Sequence, residues 1–199
     1  SPSRTVDRAC REVAVRSLIP FPVLDLIRRE SLVNIFDPDF LDAHVRKAMA
    51  FYHPRAIDPQ GGFFHYLRDD GVILDRRHRH LVSSARYVVT YARFARHSGE
   101  AEYRHWARHG LDYLERAHFQ TAYQGYAWTL ADGEVEDDTN HCYGLAFVLL
   151  AYAEALKAEV SGTREGLYAT HAILQRRFWE PHHGRFADEA DRHWRVSGY

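Results

Sequence analysis

The sequence predicts an all-α fold, a two-layered helical toroid of which this chain supplies about half, with short β-hairpins between inner and outer helices. Three hairpin-like segments recur, opening at Gly62, Gly125 and Gly184, roughly 60 residues apart, a period typical of stacked supersecondary units. They read Gly62-Phe63-Phe64 to Asp70-Gly71, Gly125-Tyr126-Ala127-Trp128 to Asp132-Gly133, and Gly184-Arg185-Phe186 to Asp191. The helical stretch before the second hairpin is one-sided, and the one after it is apolar nearly all round. A half-exposed helix followed by an enclosed one, repeated, describes an outer and an inner ring.

Each element follows from local chemistry. Residues 1–36 read as an N-terminal extension. It holds helical stretches at about Thr5 to Ser17 and Leu24 to Ser31, separated by the breaker Ile19-Pro20-Phe21-Pro22. Asp37-Pro38 opens the first ring helix, with Asp as N-cap and Pro at the first helical position, and His53-Pro54 closes it. Leu41, Val45, Ala48, Met49 and Tyr52 form its apolar stripe. The next helix spans about His80 to Arg96 and stops at Ser98-Gly99.

A third ring helix runs from about Glu100 to His118. Tyr103, Ala107, Gly110, Leu114 and Ala117 share one face, opposite Arg104, His105, Arg108, Asp112 and Glu115. The fourth, about Asn140 to Val160, carries Tyr143-Gly144-Leu145-Ala146-Phe147-Val148-Leu149-Leu150-Ala151-Tyr152-Ala153 and is expected to be buried on every side. A fifth spans about Thr163 to Phe178 and ends at Glu180-Pro181. Asp70-Gly71 and Asp132-Gly133 suit tight strand reversals, because glycine accepts positive φ. Residues 37–199 therefore hold two complete units and the first half of a third. The expectation is the N-terminal half of a domain about twice as long; the alternatives are an open array with partly uncovered inner helices and a symmetric dimer of half-toroids.

Composition bounds the function. At 46% hydrophobic and 27% charged residues the chain is globular rather than disordered. A net charge of −1 gives no reason to expect nucleic acid or an anionic membrane as partner. No apolar run approaches a bilayer span, and no secretory signal is visible at the N-terminus. With only Cys10 and Cys142, a reducing cytoplasm is the expected setting. The 14 histidines and the 14% share of aromatics suit a carbohydrate pocket, and histidines scattered over the surface are the bland alternative.

Several motifs together resemble one family. Gly61-Gly62-Phe63 with Asp70-Gly71, then Ser84-Ala85-Arg86 and Tyr91-Ala92-Arg93-Phe94-Ala95, then Tyr143 to Ala151, resemble the N-acylglucosamine 2-epimerase family. That group includes sugar 2-epimerases and mannose-type aldose–ketose isomerases. The resemblance covers about Phe36 to Tyr199, the first half of the family's domain. It implies an (α/α)6 barrel with the active site at the mouth of the inner ring. It also implies a small-molecule sugar substrate and proton abstraction at C2 through an enediolate, without redox cofactor or metal. Arg86 matches the arginine that reaches the sugar, and Tyr143 matches a pocket tyrosine; both are substrate-binding candidates. The family's acid–base histidines belong to later helices, so the catalytic pair is expected beyond Tyr199.

Other signals compete. His141 reads as a solvated helix-start residue with some ligand character. His105 and His109 have a chelating spacing but lie on a polar face. His78-Arg79-His80 and His182-His183 read as loop residues. The acidic run Glu134-Val135-Glu136-Asp137-Asp138 reads as a helix-start feature facing the dipole of the fourth helix. As alternatives to an isomerase, Asp137 and Asp138 are candidate carboxylates of an α/α-barrel glycosidase, or the chain is a non-catalytic sugar-binding or interaction module.

Overall fold

The computed structural model describes residues 34–198, which fall into two compact units divided between Met49 and Ala50. The expected helices before Ser31, Cys10 and most of the 1–36 extension lie outside the described residues. Helix α1 (Pro38–Tyr52) starts where the sequence places it: the Asp37 carboxylate accepts from the Asp39 N–H at 3.0 Å and caps the first turn.

Within the second unit the strands β1 (Tyr66–Leu67), β2 (Ile73–Asp75) and β3 (His78–His80) lead into α2 (Leu81–Ser98). Then come α3 (Ala101–Tyr113), β4 (Phe119–Gln120), β5 (Gly125–Tyr126), β6 (Thr129–Ala131), β7 (Glu134–Asp137) and β8 (Asn140–His141). Last are α4 (Cys142–Lys157), α5 (Thr163–Ile173), β9 (Trp179–Glu180), β10 (Arg185–Phe186), β11 (Glu189–Ala190) and β12 (Val196–Gly198). Helices α2 and α4 pack side by side, with α3 behind α2 and α5 behind α4. This gives two layers. The buried residues are Ala85, Val88, Tyr91, Ala92 and Ala95 on α2 and Leu145, Val148, Ala151 and Ala155 on α4, and the small ones among them let packed helices approach closely. Helix α2 ends on Gly99, at φ 78°, whose N–H returns to the Ala95 carbonyl at 3.0 Å.

Three features differ from the sequence reading. First, α3 and α5 do not remain α-helical to their ends. Leu114–His118 and Leu174–Phe178 each form a π turn, and each turn buries its first and last residues. Second, the middle hairpin is two hairpins. β4 pairs with β5, and β6 separately reverses into β7 through Asp132 and Gly133, whose φ values of 52° and 84° make a tight primed turn. Third, the glycines that mark the period are out of register. Phe64, Ala127 and Ala187 donate equivalent backbone bonds to Ala56, His118 and Phe178. This aligns Gly184 with Gln124, not Gly125, and both adopt left-handed φ, 61° and 55°.

The strand before each inner helix is held by the hairpin that follows in sequence. β3 pairs with β6, and β8 pairs with β11. The first N–H of α2 donates to the Trp128 carbonyl at 2.9 Å, and the first of α4 donates to Asp188 at 2.8 Å. Two helix-start donors are thereby satisfied by the neighbouring unit. The acidic run is accordingly strand β7 and not a helix start, since α4 begins only at Cys142. His78-Arg79-His80 likewise forms strand β3 rather than a loop.

Candidate functional site

Helix α4 is not buried on every side. Gly144, Leu145, Val148, Ala151, Tyr152 and Ala155 line its buried face, whereas Tyr143 is 57% exposed and Ala146 is open. Tyr143 and Phe147 lie one turn apart, and their rings meet edge to face at 5.0 Å. From α2, the Arg86 guanidinium stands 6.0 Å from the Phe147 ring centre. The structure thus brings Arg86 and Tyr143 to one open face of the inner layer, with Phe147 between them. Among the described residues the Arg86 side chain makes no ion pair or hydrogen bond. Its planar fork of donors is free to hold ligand oxygens.

The N-terminal ends of the two inner helices form a rim beside this face. His80 and His141 are the N-cap residues of α2 and α4, at matching backbone angles. The Trp128 ring lies between them, 4.3 Å from His80 and 3.9 Å from His141. His141 is not a solvated residue: its side chain is 16% exposed and its Nδ1 lies 3.3 Å from Glu189. Burial, and then the nearby His141, push the His80 pKa down, while Asp137 opposes them. Trp128 fits because position 144 is glycine. A Cβ there would stand 2.9 Å from both the Trp128 ring and Leu81.

Under the rim a polar chain crosses the core. The His80 N–H donates to His65 Nδ1 at 3.1 Å, so the ring proton of His65 is on Nε2. That Nε2 reaches Ser84 Oγ at 3.4 Å, and Ser84 Oγ is 3.1 Å from His118 Nε2. His118 Nδ1 lies 3.0 Å from the Ala127 carbonyl, which only accepts. One set of proton positions satisfies every bond in the chain: His65 donates to Ser84, Ser84 donates to His118, and His118 donates to Ala127. Both imidazoles are therefore neutral. Burial, then Arg79, lower the His65 pKa to about 3, and burial lowers that of His118 to about 4 despite the Ala127 bond.

The remaining candidates are engaged elsewhere. Asp138 pairs with Arg192 at 2.6 Å, and Asp137 accepts from the Thr139 N–H at 2.9 Å. His109 Nε2 donates to the Gly62 carbonyl at 2.9 Å, and among the described residues no three His, Cys, Asp or Glu side chains converge as a metal site. Phe147 and Trp128 were not singled out from the sequence as site residues, and His80 was read only as a loop or helix-start residue. One signal was available for each: Phe147 repeats the Arg86 position, His80 repeats His141, and Trp128 follows the recurring aromatic of its hairpin.

The N-acylglucosamine 2-epimerase (GlcNAc 2-epimerase) family profile matches residues 62–199. A D-mannose isomerase of Marinomonas mediterranea is 47% identical over 161 residues, covering 80% of this chain and 41% of the relative. A crystal structure of D-mannose isomerase superposes with a TM-score of 0.78 at 46% identity, covering 81% of this chain and 42% of the other. A cellobiose 2-epimerase structure from Bacillus thermoamylovorans shares the fold, with a TM-score of 0.70 at 18% identity over 80% of this chain and 43% of that one. The chain spans about two fifths of the length of these relatives.

Proposed function

Because the chain belongs to the N-acylglucosamine 2-epimerase family, we propose that it forms the Arg86–Tyr143 wall of the sugar pocket of an aldose–ketose isomerase of the D-mannose isomerase type. Residues 37–199 are, in this reading, the first half of an (α/α)6 ring, and the open face of α2 and α4 looks into its hollow. The observation that carries the proposal is the unpaired Arg86 guanidinium beside the half-buried Phe147 ring, which the exposed Tyr143 ring meets. A sugar offers oxygens to the first and an apolar ring face to the second.

In the proposed reaction a base removes the C2 proton of the open-chain aldose, and negative charge moves onto the carbonyl oxygen as an enediolate. Transfer of the O2 hydroxyl proton to O1, with return of a proton to C1, gives the ketose. Arg86 holds that oxygen and is worth most when its charge is greatest. The Tyr143 hydroxyl bonds a sugar hydroxyl. The acid–base pair is assigned to none of the described residues: His65 and His118 are locked neutral beneath the rim, with pKa values far below neutrality. The 47% identity to a D-mannose isomerase favours ketose formation over 2-epimerisation.

The test is a chimera in which residues 37–199 replace the matching segment of the Marinomonas mediterranea D-mannose isomerase. Interconversion of mannose and fructose, with solvent deuterium entering the sugar, supports the proposal. A folded chimera inert on a panel of aldoses and ketoses refutes it.

A further inference from the structure

A cavity of about 280 Å³ is lined by Asp58, Gly61, Arg76, Arg79, Tyr113 and Asp132, among others, and by neither Arg86 nor Tyr143. We propose that it binds the phosphate group of a small ligand, as inorganic phosphate or a phosphomonoester. Asp58 spends one oxygen on the Gln60 N–H at 3.0 Å and the other on Arg79 Nη2 at 2.7 Å. Asp132 is held by Arg77 through Nε and Nη2, both at 2.9 Å. Two arginines nearby have no carboxylate among the described residues. Arg76 rests on the Phe64 ring, 5.0 Å from its centre. Arg116 Nη2 lies against Gly61, where a Cβ would come within 2.7 Å of it.

The buried member of the cluster is also incomplete. Arg79 is 3% exposed and its Nε has no hydrogen-bond partner. Its guanidinium lies 4.7 Å from the centre of the Phe64 ring that Arg76 also approaches, so two like charges gather around one aromatic ring. The Tyr113 hydroxyl has no partner among the described residues either. Unspent donors and a surplus of positive charge around a cavity call for an oxoanion. Phosphate, with its tetrahedral oxygens and close to two negative charges, matches guanidinium forks better than a carboxylate does. The cavity is larger than a bare phosphate ion, which leaves room for an ester substituent.

The test is calorimetric titration of the whole chain, at constant ionic strength, with inorganic phosphate, mannose 6-phosphate and mannose. Saturable binding of phosphate, weakened at least fivefold in Arg76→Gln and in Arg116→Gln but less than twofold in Arg164→Gln, is the expected result. Arg164 is an exposed arginine on α5, away from this cavity, and controls for net charge. Tighter binding of the sugar phosphate assigns an ester as ligand, and equal binding assigns the free ion. Absence of saturable phosphate binding, or equal weakening by all three variants, overturns the proposal. Since no turnover is measured, failure here leaves the sugar pocket untouched.

Discussion

Acidification from pH 7 to pH 5 should cost this chain a large part of its stability. His65 and His118 are neutral in the fold, with pKa values of about 3 and 4 against 6.5 for an ordinary histidine. In the unfolded chain both take up protons as pH falls through 6.5, so the unfolded state binds more protons and stability drops with pH. Each group contributes about 1.4 kcal/mol per pH unit once well below 6.5, and about 2 kcal/mol between pH 7 and 5. Together they remove about 4 kcal/mol, comparable with the whole stability of a small domain. His80, whose pKa is also lowered, adds in the same direction. Carboxylates with lowered pKa, such as Asp75 and Glu154, lose their contribution only at lower pH, below their unfolded values.

Urea unfolding followed by circular dichroism at pH 7, 6 and 5 measures the slope. The second repeat suggests a variant. Position 118 corresponds to Phe178, and position 84 corresponds to Leu145; both are fully buried. The double change Ser84→Leu with His118→Phe should leave only His65 titrating among the buried pair and lower the slope by about 1.4 kcal/mol per pH unit. Stability that varies by less than about 0.5 kcal/mol over the range, or an unchanged slope in the variant, would refute the reasoning.

Two further outcomes follow from packing and charge. Gly144→Ala should destabilise by about 1–3 kcal/mol, although alanine favours helix, because the new methyl meets Trp128 and Leu81 at 2.9 Å; thermal unfolding reads this, and a gain in stability would count against the tight rim. Glu154 is 5% exposed; burial pushes its pKa up, but bonds to Arg93 and Lys157 outweigh this and hold it below the usual value. Its contribution is present above pH 4.5 and lost below, so Glu154→Gln should cost about 1–3 kcal/mol at pH 7 and much less at pH 3, as chemical unfolding at the two pH values would show.

Much of the architecture was legible because it is written in local signals. Asp37, Gly99 and the Asp132-Gly133 turn each fix a boundary through their own backbone chemistry. The period was legible too, but its register was not: Gln124 occupies a left-handed position that composition assigns to glycine, so Gly125 drew the alignment one residue off. The π turns were hidden because the apolar pattern of α3 and α5 continues into them without a break. Arg86 and Tyr143 are separate signals in the sequence, and their common face arises from the lateral packing of α2 on α4. The His65–Ser84–His118 chain was out of reach, since its members are 19 and 34 residues apart and each looks like an unremarkable polar residue in its own segment.

The most direct measurement of the sugar-pocket claim is the kinetics of Arg86→Ala in the mannose isomerase chimera. Arg86 is exposed and unpaired, so circular dichroism and the unfolding midpoint should not change. Turnover of mannose should fall at least tenfold, about 1.4 kcal/mol of lost transition-state stabilisation. Kinetics indistinguishable from the parent chimera would contradict the assignment of this face as the sugar-binding wall.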